Sequence, residues 1–153
     1  MLVEIEKKKI IISDTVLSNL KKFIQNEYYK HEAGGIILGQ IKSNEIYILD
    51  ITTPNKSDAS SKYSFTRGIT MAQKKINSLF KLSNSKTIYL GEWHTHPENS
   101  PKPSSIDLKM IKKQYSKSKL NEAYILMLIM GIEELYLSIY NGKKNIGQTI
   151  KYD

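Results

Sequence analysis

The chain has 153 residues, a length that fits one domain over 1–153. It contains no cysteine, which excludes disulfides, thiolate nucleophiles and cysteine-ligated zinc and leaves any metal to histidine and carboxylate ligands. The formal net charge of +8 comes almost entirely from scattered lysines, since Arg67 is the only arginine. This composition argues against nucleic-acid binding, which favours bidentate arginine contacts, and leaves open an attraction to acidic protein surfaces.

The sequence predicts a soluble protein of the cytoplasm with no membrane partner. Its N-terminal residues lack the apolar core and small-residue cleavage site of a signal peptide. No apolar run reaches the ~18 residues needed to cross a bilayer. The longest apolar run, over 123–130, has the length of a strand.

Periodicity and turn signals predict the secondary structure in chain order. The predicted strands cover 10–12, 36–41, 45–52, 63–66, 87–93, 123–130 and 134–140, with an edge strand over 145–152. The predicted helices run from Ser13-Asp14 to about Tyr29, from about Gly68 to Leu82, and from Ser104 to about Tyr115. The order predicts an α/β layered fold with a mixed sheet flanked by helices, without fixing the strand order.

Apolar spacing also predicts which residues enter the core. The second helix presents Met71, Ile76, Leu79 and Phe80 as core positions. Strand alternation places Trp93 in the packing layer opposite to its neighbour His94.

Three side chains near the end of one predicted strand have the chemistry of metal ligands. His94 and His96 are separated by one residue, so both imidazoles point to the same face of the strand. Asp107 follows in the first turn of a helix, where its carboxylate can reach back toward the strand end. Two imidazoles and one carboxylate leave a fourth position for water, as in a catalytic zinc site.

A zinc of this kind polarises a scissile carbonyl and lowers the pKa of its water to roughly 7. Hydrolysis of an amide also requires a proton acceptor that later donates to the leaving amine. Glu32, beside Gly34-Gly35, is the candidate for that role. Ser104, at the same helix start as Asp107, is the candidate donor to the oxyanion.

These residues resemble a known family. His94-Thr95-His96-Pro97, seven residues from Pro97 to Pro103, then Ser104 and, after two more, Asp107 match the JAMM (JAB/MPN) metalloprotease pattern H-x-H-x7-S-x2-D. The segment His31-Glu32-Ala-Gly-Gly-Ile-Ile-Leu-Gly39 is similar to the catalytic-glutamate segment of that family. The resemblance implies a JAB/MPN fold, related to the cytidine deaminases. It implies zinc bound by His94, His96 and Asp107, with Glu32 as general acid/base and Ser104 supporting the oxyanion.

Within the family, the sequence around Trp93 and Pro103 is most similar to that of prokaryotic JAB proteins of anti-phage operons such as CBASS. That resemblance implies an isopeptidase that releases targets from the C-terminal tail of a ubiquitin-like or other conjugated protein. It also implies ubiquitin-activating-like and ubiquitin-conjugating-like enzymes as partners. The chain departs from eukaryotic deubiquitinating members because it is short and has no cysteine for an accessory zinc.

We expect residues 60–66 to help form the groove for an extended substrate tail, since JAB proteases hold the tail in that region. Glu92 shares the metal-facing side by parity and is expected to have a structural role at most.

Other interpretations remain at this stage. Ser104 and Asp107 also fit a capping box that serves only the helix end. The chain could be a catalytically silent MPN scaffold, a basic nucleic-acid-associated JAB module, or a protease that trims a sulfur-carrier precursor. Neither the natural substrate nor the oligomeric state follows from the sequence.

Overall fold

The computed structural model describes residues 1–55, 58–63, 65–120 and 122–152. The strands are β1 (Leu2–Ile5), β2 (Lys8–Ile12), β3 (Gly34–Lys42), β4 (Glu45–Ile51), β5 (Ala59–Ser60), β6 (Phe65–Thr66), β7 (Ile88–Thr95), β8 (Ile125–Met130), β9 (Glu134–Tyr140) and β10 (Asn145–Lys151). The helices are α1 (Asp14–Lys21), α2 (Ile69–Leu82) and α3 (Ser105–Lys117).

Eight strands form one mixed sheet, and β7 lies near its centre. The strand order is β1-β2-β4-β3-β7-β8-β9-β10, and β5 and β6 form a separate two-stranded hairpin. The pairs β2–β4 and β7–β8 are parallel, while the other pairs of the large sheet are antiparallel. The side chain of Gln148 on β10 donates to the carbonyl of Glu4 on β1 at 3.0 Å, so the sheet curls until its two edges approach.

The sheet separates two helical layers. The apolar face of α1 is buried in one cluster with Trp93 of β7. On the opposite face, α2 packs on β3, and α3 packs on β8 and β9. The predicted α/β architecture is therefore confirmed, with the residues that alternate along β7 facing different layers.

Trp93 occupies the core position that strand alternation predicts. The side chain is buried and its Nε1 donates to the carbonyl of Thr52 at 2.8 Å. Its ring lies against that of Phe23, with centroids 5.7 Å apart. The neighbouring His94 consequently faces the α2 and α3 layer.

Several sequence predictions differ from the structure. The helix predicted to reach Tyr29 ends at Lys21, because i to i−3 backbone bonds tighten its last turn and the chain then becomes irregular. β1 is missing from the predicted elements, since a four-residue strand gives little periodic signal.

The predicted core face of α2 is partly wrong. Met71 and Phe80 are exposed, whereas Ile76 and Leu79 are half-buried. The small side chain of Ala72 is the fully buried contact, because it lets the helix approach β3 closely.

Gly91 tests how tightly β7 is held between its neighbours. A Cβ added at Gly91 would collide with the carbonyl oxygen of Leu126 on β8, and the register between β3 and β7 shifts at the same level. We expect Gly91→Ala to lower the free energy of unfolding by about 1–3 kcal/mol, as overpacked cores do. Urea unfolding measures this change, with the exposed Lys143→Ala as control. An unchanged midpoint in Gly91→Ala would show that β7 can move away from β8 at little cost.

Candidate metal centre and active site

The end of β7 brings two imidazoles together. His94 is a residue of β7, and the backbone N–H of His96 donates to the carbonyl of Met130 at 2.9 Å, which continues the pairing with β8. The two Nε2 atoms lie 3.2 Å apart, and both side chains are buried. The alternation predicted from the sequence therefore places both rings on one face.

Asp107 completes this group from the first turn of α3. Its Oδ1 lies 3.1 Å from Nε2 of His94, and its Oδ2 lies 3.1 Å from Nε2 of His96. The same carboxylate accepts the backbone N–H of Ser104 at 2.8 Å, while Ser104 Oγ accepts the backbone N–H of Asp107 at 3.1 Å. The capping box is thus present, and it holds the carboxylate against both histidines.

Glu32 approaches from the segment that precedes β3. Its carboxylate and the two imidazoles offer ligand atoms that all lie within 4.8 Å of one another, and Glu32 is buried. β3 begins at Gly34, two residues after Glu32, and Gly34 pairs with His94 on the neighbouring strand. This pairing keeps Glu32 close to the histidines. The backbone N–H of Glu32 donates to the carbonyl of Ser61 beside the β5–β6 hairpin.

The pKa values of the two carboxyl groups of the site are shifted in opposite directions. Burial alone would raise the pKa of Asp107, but hydrogen bonds and charge from His94 and His96 outweigh it and hold that pKa far below its usual range. Burial raises the pKa of Glu32, and the nearby Asp107 adds to this, although the histidines act against it. One carboxylate is therefore a fixed anion, and the other is suited to carrying a proton.

The donor set fits a divalent metal ion. Ligand distances of about 2.0–2.2 Å in a tetrahedral site place neighbouring ligand atoms roughly 3.3–3.6 Å apart, close to the separations observed here. Nδ1 of His94 and of His96 is buried, and neither has a hydrogen-bond partner among the described residues. The carboxylate of Glu98 lies 3.9 Å from Nδ1 of His96. Both rings thus direct Nε2 at a common centre, with nitrogen and oxygen donors that suit zinc.

Glu92 has the structural role that the sequence predicts. It shares the face of His94, but Arg67 donates to both of its oxygens, with the shortest contact at 2.7 Å. The hydroxyl of Tyr89 donates to the same carboxylate at 2.7 Å. These bonds hold Glu92 in a paired network that links the start of α2 to β7.

Gln25 and Thr95 are polar residues of the site region whose contacts the sequence does not predict. Both are buried, and the hydroxyl of Thr95 donates to the side-chain oxygen of Gln25 at 2.8 Å. Gln25 falls inside the helix that the sequence predicts as far as Tyr29, and no local pattern assigns it a role, so only its tertiary contacts distinguish it.

Residues 20–139 match the model of a protein family described as prokaryotic homologs of the JAB domain. The chain belongs to this family. The family resemblance that the sequence motif indicates is therefore confirmed.

Several relatives of this prokaryotic JAB protein carry the name CD-NTase/cGAS isopeptidase. One from Escherichia coli (strain TW11681) is 33% identical over 144 residues, which is 94% of this chain and 84% of the relative. One from Vibrio cholerae is 28% identical and covers 88% of this chain and 81% of its own. A third, from Pseudomonas aeruginosa, is 28% identical over 85% of this chain and 82% of its own.

A solved structure shares the fold of this chain. The solution structure of a protein from Desulfitobacterium hafniense superimposes with a TM-score of 0.60 at 14% identity, over 91% of this chain and 89% of that one. None of the helices in the described part of the chain has both the length and the apolar character that a membrane span requires.

Protonation of His96 gives the metal-free site a distinctive pH dependence. Burial lowers the pKa of His96, but the hydrogen bond and charge of Asp107 outweigh it and raise the pKa above 6.5. Because the pKa of His96 is higher in the folded protein than its ordinary value of 6.5, protonation of His96 stabilises the fold at pH values below 6.5. This stabilisation is lost as the pH rises through the folded-state pKa. We expect chelator-treated protein to lose unfolding free energy over that window, and His96→Gln to lack this component. Urea titrations across pH measure it, and identical profiles for the two proteins would contradict the pairing.

Proposed function

We propose that this prokaryotic JAB protein is a zinc-dependent isopeptidase, with one catalytic domain over 1–153. The observation that carries the proposal is the convergence of His94, His96 and Asp107, with Glu32 beside the two imidazoles. The name of its relatives, CD-NTase/cGAS isopeptidase, points to the same reaction.

His94, His96 and Asp107 would hold the zinc. The low pKa of Asp107 keeps its carboxylate ionised, as a metal ligand must be. When bound, zinc polarises the scissile carbonyl and lowers the pKa of a water molecule. Ser104 contributes by fixing the Asp107 carboxylate through the capping box.

Glu32 is the proposed general acid/base. Its raised pKa suits a group that takes a proton from the attacking water and returns it to the leaving amine nitrogen. The water oxygen adds to the carbonyl carbon to form the new C–O bond and the tetrahedral oxyanion. Collapse of this adduct then breaks the C–N isopeptide bond, and the amine leaves neutral after receiving the proton from Glu32. A carboxylate oxygen of Glu32 lies within 4.8 Å of a nitrogen of each imidazole, which supports this role.

Ser104 is the proposed donor to the tetrahedral oxyanion. It is exposed and is the N-cap residue of α3. Its hydrogen bond with the backbone of Asp107 uses an oxygen lone pair and not the hydroxyl proton. That proton can therefore be donated to the negative charge that develops on the carbonyl oxygen.

The substrate tail is proposed to lie against the β5–β6 hairpin. Ser61, in the turn of this hairpin, accepts the backbone N–H of Glu32, so an extended tail beside the hairpin ends next to Glu32. The ring of Phe65 approaches Gly34 so closely that a Cβ there would lie 2.6 Å from it. Ser64, also part of the predicted groove, lies outside the described residues.

The tail-bearing protein proposed here is a CD-NTase or cGAS-like protein, as the names of the relatives indicate. A ubiquitin-like protein with an extended C-terminus presents the same chemistry. We propose that the enzyme acts in the cytoplasm, in an anti-phage operon that includes ubiquitin-activating-like and ubiquitin-conjugating-like enzymes.

Zinc content and turnover of matched variants test the chemistry. We expect about one zinc per wild-type chain by elemental analysis, and none in His94→Ala/His96→Ala, together with loss of activity. Glu32→Gln should retain zinc but cleave about 10²–10⁴-fold more slowly, because only the proton carrier is removed. The substrate is a CD-NTase whose C-terminal carboxylate is joined to the side-chain amine of a reporter lysine.

The outcomes separate the alternatives. A wild-type protein that binds no zinc when purified without chelator would favour the silent scaffold. Full activity in Glu32→Gln would exclude the proposed proton path. Cleavage of a linear sulfur-carrier precursor in preference to the isopeptide would assign the same chemistry to precursor trimming.

Replacement of 63–66 by glycine and serine tests the groove, since it leaves the Ser61 carbonyl in place. We expect KM for a long tail to rise about tenfold through lost side-chain and main-chain contacts, with little change in kcat. A short tail that ends before the hairpin is the matched control and should show no change. Equal KM values for the long tail before and after replacement would remove the hairpin from the groove.

A further inference from the structure

A single buried amide connects three parts of the active site. Gln25 follows α1 in the irregular segment that leads to Glu32, and only 3% of it is exposed. Its side-chain nitrogen donates to the carbonyl of Lys30 at 3.2 Å and to that of Lys62 at 2.9 Å. Its side-chain oxygen accepts the hydroxyl proton of Thr95 at 2.8 Å. Three separate chain segments therefore meet at one side chain.

Thr95 ties this amide to the metal-ligand strand. It stands between the two histidines on the opposite face of β7 and is fully buried. Its Oγ1 also accepts the backbone N–H of Ala33 at 2.9 Å, and its backbone N–H donates to the Ala33 carbonyl at 2.9 Å. The residue that follows Glu32 is thus bonded twice to the residue between the ligands.

The hairpin side closes the connection. The backbone N–H of Glu32 donates to the carbonyl of Ser61 at 2.6 Å, and the next carbonyl along the chain, that of Lys62, accepts from Gln25. Glu32 is therefore linked to Gln25 on two sides. One link runs through Ser61 and Lys62, and the other runs through Ala33 and Thr95. Buried polar groups in such networks are costly to leave unpaired, so the arrangement resists small displacements.

The geometry points to Gln25 and Thr95 as positioning residues that set Glu32 relative to the metal ligands and to the tail groove. This inference rests on the proposed function, because Glu32 is the group whose placement it explains. A displacement of about 1 Å in a reacting group can reduce turnover by roughly 10²-fold. The connection also joins the hairpin to Glu32, so it acts on tail binding as well as on proton transfer.

Matched substitutions at Thr95 test the connection. Thr95→Ser keeps both hydroxyl bonds, whereas Thr95→Val keeps the shape and removes them. We expect Thr95→Ser to retain wild-type kcat, and Thr95→Val to lose about 10–100-fold in kcat with its zinc content unchanged. A merely structural threonine would lower stability in Thr95→Val without a selective fall in kcat. Equal kcat in the two variants would overturn the inference.

The hydrogen bonds of Gln25 to Lys30, Lys62 and Thr95 form one junction. Gln25→Met tests the part of this junction that reaches the β5–β6 hairpin. It removes the two bonds to carbonyls together with the bond from Thr95. We expect it to lower kcat and also to raise KM for the long tail, whereas Thr95→Val should leave KM unchanged. Gln73→Met is the control, because Gln73 donates to Asn77 on the exposed face of α2 and undergoes the same chemical change. A Gln25→Met enzyme with wild-type kcat and KM would overturn the inference.

Hydrogen exchange of the metal-free protein separates this inference from the proposed function. We expect Gln25→Met to exchange amides of 26–33 and 58–63 roughly tenfold faster than wild type, since it loses bonds to both segments. Gln73→Met should match wild type in both segments. Faster exchange in a protein that cleaves none of the substrates would retain the junction and reject the isopeptidase. Unchanged exchange in an active enzyme would reject the junction alone.

Discussion

The carboxylate of Asp107 is the contact on which the rest of the site depends. It meets Nε2 of His94 and Nε2 of His96 at 3.1 Å each and caps α3 through Ser104. One side chain thereby fixes the start of a helix against the end of the central strand. α3 positions Asp107 beside the two histidines, and the contacts of Asp107 with His94 and His96 hold the start of α3 in place. A cap and a ligand are usually considered as alternatives, but here the cap orients the ligand.

The different pKa shifts of Asp107 and Glu32 follow from their surroundings. Asp107 accepts hydrogen bonds from two imidazoles and from a backbone N–H, which lower its pKa, so it stays ionised. Glu32 is buried near the same imidazoles, and that burial raises its pKa. Pairs of acids with opposite shifts are typical of sites in which one group binds charge and the other moves a proton. The proposed assignment of ligand and general base rests on this contrast as well as on the family resemblance.

The sequence predicts the site better than it predicts the path of the chain around the site. His94, His96 and Asp107 are close in sequence, and strand alternation with helix capping suffices to bring them together. Gln25 is different, because its partners lie 37 and 70 residues away in Lys62 and Thr95, and no local pattern encodes contacts of that range. The same contacts explain why α1 ends well before Tyr29: the segment after it serves tertiary hydrogen bonds instead of a helical ladder.

Zinc affinity of two carboxylate variants tests the central claim most directly. Competition with a chromophoric chelator would be measured for wild type, Asp107→Asn and Glu32→Gln in parallel. Assignment of Asp107 as ligand and Glu32 as proton carrier predicts that Asp107→Asn loses affinity by orders of magnitude while Glu32→Gln stays close to wild type. The reverse result, with affinity lost in Glu32→Gln and kept in Asp107→Asn, would contradict the account and make Glu32 the metal ligand.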